Sequence, residues 1–526
     1  MIYDLVIENG KVVFGSLDKS QVLNIGIINN KIVKLTDQII TGKRKIDAKG
    51  KIVAPGFIDP HTHSDLSGFF QSNMSSKIEQ GVTTEICGNC GVGVVPFDNN
   101  YFEQYKSFVG EHFVYPYENF PLENFKNIKL LKEFWNRDKF IINQGYLTAT
   151  GCLRIAVAGF STNKLTNDQL TKMLNLLEQE LQNGSYGVSF GLIYQPGNYM
   201  SKEEIIEILK VVAKYDKIAS FHMRNEGIEI FDAINEIIYC GKESNCKVNI
   251  SHLKIMDKSL WGKSDKVLEL INEAIAKGIK LTYDQYPYTA TSTTLMVLIP
   301  DNIFNGDMNN FIENIDNLSD KNKLEILNKI NQRGGAGNIL ITDIAANNEN
   351  YSRRLLSEIA EEEKKNTVDT LLEIIRKSHG HTRAIYFSMN DDDMYSFMKT
   401  SIGVVGSDGN SISTLPKKKG SLPHPRNFAT FPKFIEINRE KKFFTIEEMI
   451  NKITLKTAEV YSIKCRGLIK EGYFADITVF DYEKISGPSK YENPFLMNTG
   501  IEYVIVNGKV AFENGKVQLE RNGEFI

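Results

Sequence analysis

Through its middle the chain alternates short apolar runs with longer amphipathic ones. KIASFHMR ends near residue 222, KVNISHLK near 252 and GIKLTYDQY near 285, a spacing of roughly 30 residues that suits a strand–helix–strand unit. The segments between them, GIEIFDAINEIIYCGK and DKVLELINEAIAKG, carry apolar residues at helical i, i+3, i+4 spacing. Parallel strands need a crossover of this kind, so the repeat predicts a parallel sheet. GFIDPH, GVTTEICG, FIINQGYL and YGVSFGLI are further strand candidates upstream, and RAIYFSM and IGVVGSD downstream. Nine candidates compete for the eight places of a (β/α)8 TIM-like barrel, so one strand is expected outside it. A doubly wound sheet is the alternative. Residues about 290–348, with NGDMNNFIENIDNLSDKNK and RGGAGN, break the rhythm and read as an insertion after a late barrel strand.

At both ends the period changes to two. LVIENGKVV and YVIVNGKVAFENGKV place Asn-Gly between alternating apolar residues, a strong hairpin signal. NIGIINNKIVKL and ADITVFD add short strands near the same ends. The expectation is one small β-sandwich built from residues 1–54 and 466–526, with the 55–465 barrel inserted between its halves. Two unrelated hairpins are the alternative.

Bulk properties narrow the function classes. A chain of 526 residues fits an elaborated barrel plus a satellite, and 42% apolar content supports a large core. Lys+Arg 62 against Asp+Glu 65, a net charge of -3, gives no electrostatic case for nucleic acid or an anionic membrane. No apolar run approaches the roughly 18 residues of a membrane span, and Asp4 and Glu8 interrupt any signal-peptide core at the N-terminus. Six cysteines, at 87, 90, 152, 240, 246 and 465, are too sparse for a disulfide scaffold of this size. A reducing cytoplasm is expected.

Six residues follow strand-like runs where a barrel would bring them to one mouth: His61 and His63 in APGFIDPHTHSD, Cys90 in EICGNCGVG, His222 in SFHMRNEG, His252 in NISHLKIM and Asp408 in VVGSDGN. Four of the chain's 8 histidines fall in this set. Imidazole, thiolate and carboxylate are donors that Zn²⁺ prefers. Alternation at a strand end turns both histidines of His61-Thr62-His63 to the same side. His222 and His252 end successive strands, so they converge at the C-terminal mouth where barrel enzymes place their chemistry. Cys87 and Cys90 form a CxxC with no second pair to complete a structural zinc site. Cys87 reads as a buried inert thiol; Cys90, beside Gly88, Asn89 and Gly91, sits on tight backbone where a thiolate can approach a cation. Asp408 reads as a catalytic carboxylate.

The chain resembles the N-acyl-D-amino-acid deacylases (D-aminoacylases) of the amidohydrolase superfamily. The resemblance runs nearly end to end through PGFIDPHTHSD, GVTTEICGNCG, GLIYQPGNY, HMRNEG, SHLK, YPYTATSTTL, GSDG, HPRNFATFP and RGLIKEGYFADITVFD. It implies that Cys90 takes the place of the carbamylated lysine of hydantoinases and dihydroorotases, and completes one tightly held zinc site with His222 and His252. His61, His63 and Asp408 would flank a second, weaker metal site. Asp408 would be the general base and later the general acid. A clamp for the substrate α-carboxylate would comprise Tyr194, Lys254, Tyr286, Ser292 and Arg426. The stretch SISTLPKKKGSLP between Asp408 and Arg426 is longer than the family leads one to expect, which leaves Arg426 the least secure member.

The expected function is zinc-dependent hydrolysis of small-molecule N-acyl-D-amino acids, with no nucleic-acid or membrane partner. Acidic-side-chain specialists of the family use a basic residue soon after YPYTA. Here TSTTLMVLIPDNIFNGDMNNF offers Met296, Leu298 and Ile299 and no Lys or Arg before Lys321, so apolar side chains are expected to be favoured, with Lys417 to Lys419 as a possible source of a cation otherwise. Two alternatives are a cyclic amidase of the hydantoinase or dihydroorotase type and a catalytically inactive scaffold. YGVSFGLIYQP lacks the bridging lysine the first needs, and the second would have lost metal ligands.

Overall fold

The structure is a computed structural model that describes residues 1–526 apart from 71–73, 118, 301, 305–307, 344–350, 415–421 and 519. Lys417, Lys418 and Lys419 therefore lie outside the described residues.

Eight strands form the barrel: β1 (Phe57–Asp59), β2 (Val82–Cys87), β3 (Asn143–Tyr146, continued by Thr148–Ala149), β4 (Gly187–Gly191), β5 (Ile218–His222), β6 (Lys247–Ile250), β7 (Leu281–Gln285) and β8 (Val404–Val405). Neighbours pair in parallel in chain order, with Phe190 opposite Phe221, Phe221 opposite Ile250 and Gln285 opposite Val405. The ring closes where Thr62 bridges Gly409, Asp408 N–H donates to His61 O at 2.8 Å and His63 N–H donates to Gly409 O at 3.0 Å.

Strands covered on both faces are apolar toward the helices and carry polar side chains inward. Val188, Phe190, Phe221, Val248 and Ile250 join one apolar core with helices Lys202–Lys214 and Ile230–Ser244. The intervening Ser189, Ser220 and Asn249 are equally buried but polar. Ser201 and Glu204 form a capping box that starts the helix after β4. The fold thus settles which polar groups face the barrel axis.

RAIYFSM is the strand that lies outside the barrel. Arg383–Tyr386 pairs antiparallel with Thr291–Thr294 and with Ile339–Asp343 in a separate four-stranded sheet. Its apolar run looks like a barrel strand because it too is buried on both faces, against Leu295, Leu371 and Ile375. The extra sheet spans Thr291–Tyr386 and so reaches beyond the 290–348 stretch expected from sequence.

Both chain ends contribute to one nine-stranded sheet, in which Ile477–Phe480 pairs antiparallel with Ile52–Pro55. Leu5, Ile7, Ile25 and Ile46 from the first end pack with Ile469, Ile477 and Ile505 from the last. Arg466 links this sheet to the barrel: it pairs with Asp476, whose Oδ2 accepts from Asn143 of β3 at 3.2 Å.

Candidate metal centre

Each of the six donor residues sits at the C-terminal end of a strand, and their backbones are shaped for it. Thr62, between His61 and His63, donates through N–H and Oγ1 to Ile86 O, which turns both histidines toward the mouth. Cys90 follows β2 on a turn fastened to β4 by Gly91 N–H donating to Ser189 Oγ at 2.9 Å. A Cβ on Gly191 would lie 2.0 Å from Cys90 O, so only glycine lets this turn press on the end of β4. His222 ends β5, His252 follows β6 and Asp408 follows β8. Cys90 (φ 56), His252 (φ 38) and Asp408 (φ 50) all occupy left-handed backbone. Such positions cost about 1–3 kcal/mol each and cluster at functional sites.

The donor atoms converge. Cys90 Sγ is 3.2 Å from His61 Nε2 and 3.3 Å from His252 Nε2, and His252 Nε2 is 3.1 Å from His222 Nδ1. Asp408 Oδ1 is 3.6 Å from His61 Nε2 and 3.0 Å from His63 Nε2. Ligand atoms of His61, Cys90, His252 and Asp408 all lie within 4.8 Å of one another, and all four residues are buried. Burial alone would raise the Cys90 thiol, but the charges of His61 and His252 outweigh it and hold the thiol well below its usual range. Burial likewise works against Asp408 ionising, and Arg426, His252 and His63 reverse that. A thiolate, four imidazoles and a carboxylate packed this closely are chemically matched to a zinc ion. Cys87 points elsewhere: Gln144 Nε2 donates to its Sγ at 2.9 Å, and burial pushes its thiol well up.

Two carboxylates behind the imidazoles escaped the sequence reading. Asp284, fully buried at the end of β7, meets His61 Nδ1 at 2.9 Å through Oδ1 and accepts His252 N–H at 2.9 Å and Asn249 Nδ2 at 2.7 Å. Glu226 Oε1 lies 3.0 Å from His252 Nδ1, and its Oε2 lies 3.7 Å from His222 Nε2. A carboxylate on the far nitrogen fixes the tautomer and aim of a ligating imidazole. Asp284→Asn is therefore expected to weaken zinc affinity about 10–100-fold, measured by competition with a chelator; unchanged affinity would show that Asp284 only packs. TYDQY and HMRNEG contain both acids, but sequence alone did not separate them from ordinary loop carboxylates.

Of the residues expected in the clamp, Tyr194, Lys254, Ser292 and Arg426 line the cavity that holds the donor cluster. Tyr286 lies behind it, with its ring 5.0 Å from the Arg426 guanidinium and its buried hydroxyl without a hydrogen-bond partner among the described residues. Lys254 Nζ is 2.5 Å from Glu226, Arg426 Nη1 is 2.7 Å from Asp408, and Arg426 Nη2 approaches Ser292 O at 3.4 Å. Arg426 thus reaches the site despite the long stretch before it.

The side-chain expectation meets a different surface. Met296 and Ile299 line a neighbouring cavity rather than this one, while Val297 and Thr294 line both. Arg333 and Arg383, from the additional lobe, line the donor cavity itself. Neither has a local sequence signal, since only the folding of the lobe over the barrel mouth brings them there. They share the lining with the apolar Val92, Phe113, Ile193 and Val297.

The amidohydrolase family model matches residues 52–511. The D-aminoacylase of Alcaligenes xylosoxydans xylosoxydans is 30% identical over 513 residues, covering 97% of this chain and 95% of that protein. An N-acyl-D-glutamate deacylase of the same organism is 29% identical, covering 97% and 93%. The crystal structure of N-acyl-D-glutamate deacylase from Bordetella bronchiseptica, complexed with zinc and a phosphonate mimic of the tetrahedral intermediate, superposes with a TM-score of 0.83 at 26% identity, covering 100% of this chain and 99% of that one.

Proposed function

Because the chain belongs to the amidohydrolase family, we propose that it is a zinc-dependent hydrolase of N-acyl-D-amino acids, releasing a carboxylate and the free D-amino acid. One observation carries the reading: thiolate, imidazole and carboxylate donors share a single cavity with the cations Lys254 and Arg426. Cys90, His222 and His252 are assigned the tight zinc site, and His61, His63 and Asp408 flank a weaker one. Zinc bound there supplies Lewis acidity, acidifying water and polarising a carbonyl oxygen.

The protein's own groups do the rest. Asp408 is assigned the general base, taking a proton from the attacking water through a carboxylate kept ionised beside Arg426. It then returns that proton to the amide nitrogen, which leaves as an amine rather than as an unstable anion. Lys254, Arg426, Tyr194 and Ser292 hold the α-carboxylate, with Tyr286 backing them; Arg offers a planar fork and Lys a compact charge. The D configuration is supported by the relatives alone.

No described helix is long and apolar enough to cross a membrane. The cysteines are unpaired, five of them buried, which supports the cytoplasm as the site of action. The terminal segments 1–54 and 466–526 are assigned to one supporting domain and 55–465 to the catalytic one.

The test is a racemic N-acetyl amino acid panel with the zinc-loaded protein, the released amine resolved by chirality. Release of D-amino acids is expected. Release of the L form only, or opening of hydantoin or dihydroorotate rings without action on linear amides, would reject the reading.

A further inference from the structure

We infer that the larger cavity beside the donor site is a subsite for the acyl arm of the substrate, and that it takes an apolar acyl chain several carbons longer than acetyl. The inference rests on the deacylase reading and adds the acyl group to it.

Size gives the first reason. The donor cavity has a volume of about 60 Å³ and its neighbour about 800 Å³. Small-molecule sites run to about 300–1,000 Å³, so the donor cavity has room for the reacting bond and little more. His112, Ile193, Tyr194, Thr294 and Val297 line both cavities and form the passage between them.

Position gives the second. With the α-carboxylate on Lys254 and Arg426 and the carbonyl at the donor cluster, the amide nitrogen and α-carbon span the interval between them. The acyl chain is the arm that leaves the carbonyl carbon with no part in the clamp. The passage opens beside the donors: the Tyr194 ring lies 5.0 Å from that of His222 and 5.7 Å from that of His112. His112 presents no charge to a chain passing it, since burial and the neighbouring Arg383 hold its imidazole down at about 3.

The wall of the larger cavity gives the third. Leu192 and Ile193, which follow β4, line it together with Met296, Val297, Ile299 and Phe304 of the lobe. Leu192, Met296 and Ile299 are buried, whereas Glu103, Ser107 and Lys329 of the same lining are exposed, so an apolar inner side gives way to a polar rim. Arg224 on this wall is committed: its Nε donates to both oxygens of Glu236 at 3.1 and 3.0 Å, and its Nη1 donates to Asn198 O at 2.8 Å. A run of methylenes gains from burial against such a side, where a charged arm would lose its hydration.

The test measures kcat/KM along the N-acetyl, N-butanoyl, N-hexanoyl and N-octanoyl derivatives of one D-amino acid. A rise of about two- to fourfold per methylene is expected, so that octanoyl exceeds acetyl by at least about fiftyfold. Ser107→Trp, which fills the cavity from an exposed helix position, and Phe304→Asn, which makes its wall polar, are each expected to lower the octanoyl-to-acetyl ratio about tenfold. Poor folding of a variant would lower both substrates alike and leave the ratio where it was, so the ratio isolates recognition. A flat or falling series, or a high ratio that survives both substitutions, would overturn the acyl subsite while the deacylase reading stands. So would a flat acyl series beside a rise when the amino-acid side chain is lengthened instead, from N-acetyl-D-alanine to N-acetyl-D-2-aminooctanoate. Failure to hydrolyse any N-acyl-D-amino acid would overturn both.

Discussion

Asp408→Asn is expected to lower kcat by about 10³–10⁴-fold, at the upper end of what a positioned base contributes, while the protein keeps its fold and its zinc. Asp408 lies within 3.6 Å of His61 and 3.0 Å of His63, and Arg426 holds its other oxygen at 2.7 Å. An amide can take the same shape and still offer an oxygen to these neighbours. It cannot accept a proton at neutral pH, so neither the removal of a proton from water nor its delivery to the leaving nitrogen has a carrier. The Arg426 guanidinium would then lack its counter-charge, which makes a modest rise in KM a secondary outcome. Steady-state rates beside zinc content and thermal unfolding of the same preparation decide the matter. Activity within tenfold of the unaltered protein would show that another group moves the proton, with Glu226, beside His222 and His252, a candidate.

Cys90→Ala is expected to strip the zinc, leaving far less than the roughly one tightly bound ion per chain that three strong ligands support. The thiolate is the one soft donor in the cluster and touches both His61 and His252. Its removal leaves imidazoles that the same cavity would otherwise force together without a counter-charge. Cys87→Ala provides the matched control, since Cys87 is equally buried, three residues away and bonded instead to Gln144 and Thr62. It should retain zinc and most activity. Equal metal content in the two variants, read by elemental analysis after dialysis, would reject Cys90 as a ligand. A comparable collapse of both would point to packing around β2.

The contrast between these two cysteines shows how far local sequence carries. CxxC is ambiguous by itself; the flanking Gly88, Asn89 and Gly91 signalled tight backbone at Cys90, and the structure adds why, in the 2.0 Å approach that Gly191 permits. His222 and His252 were legible because β5 and β6 repeat the same strand–helix period, and a parallel sheet carries their ends to one side. RAIYFSM was not separable from a barrel strand, because burial on both faces gives the same apolar run in either sheet. Asp284 and Glu226 were visible as letters only, since their role depends on which nitrogen of a distant imidazole they meet.

By itself, then, the order of residues determined the barrel, the pairing of the two chain ends and the six side chains that meet at the barrel mouth. All three arise from periodicity and from short motifs whose geometry is set within a few residues. Tertiary structure alone decided the surroundings of those donors: which carboxylates back the histidines, and which cations overhang the cavity. Arg333 and Arg383 reach it because the lobe's sheet, antiparallel through Thr291–Thr294 and Arg383–Tyr386, folds back over the barrel mouth. Contacts between residues separated by more than 200 positions, such as His61 with Asp284, depend on how whole elements pack, and no local pattern encodes that.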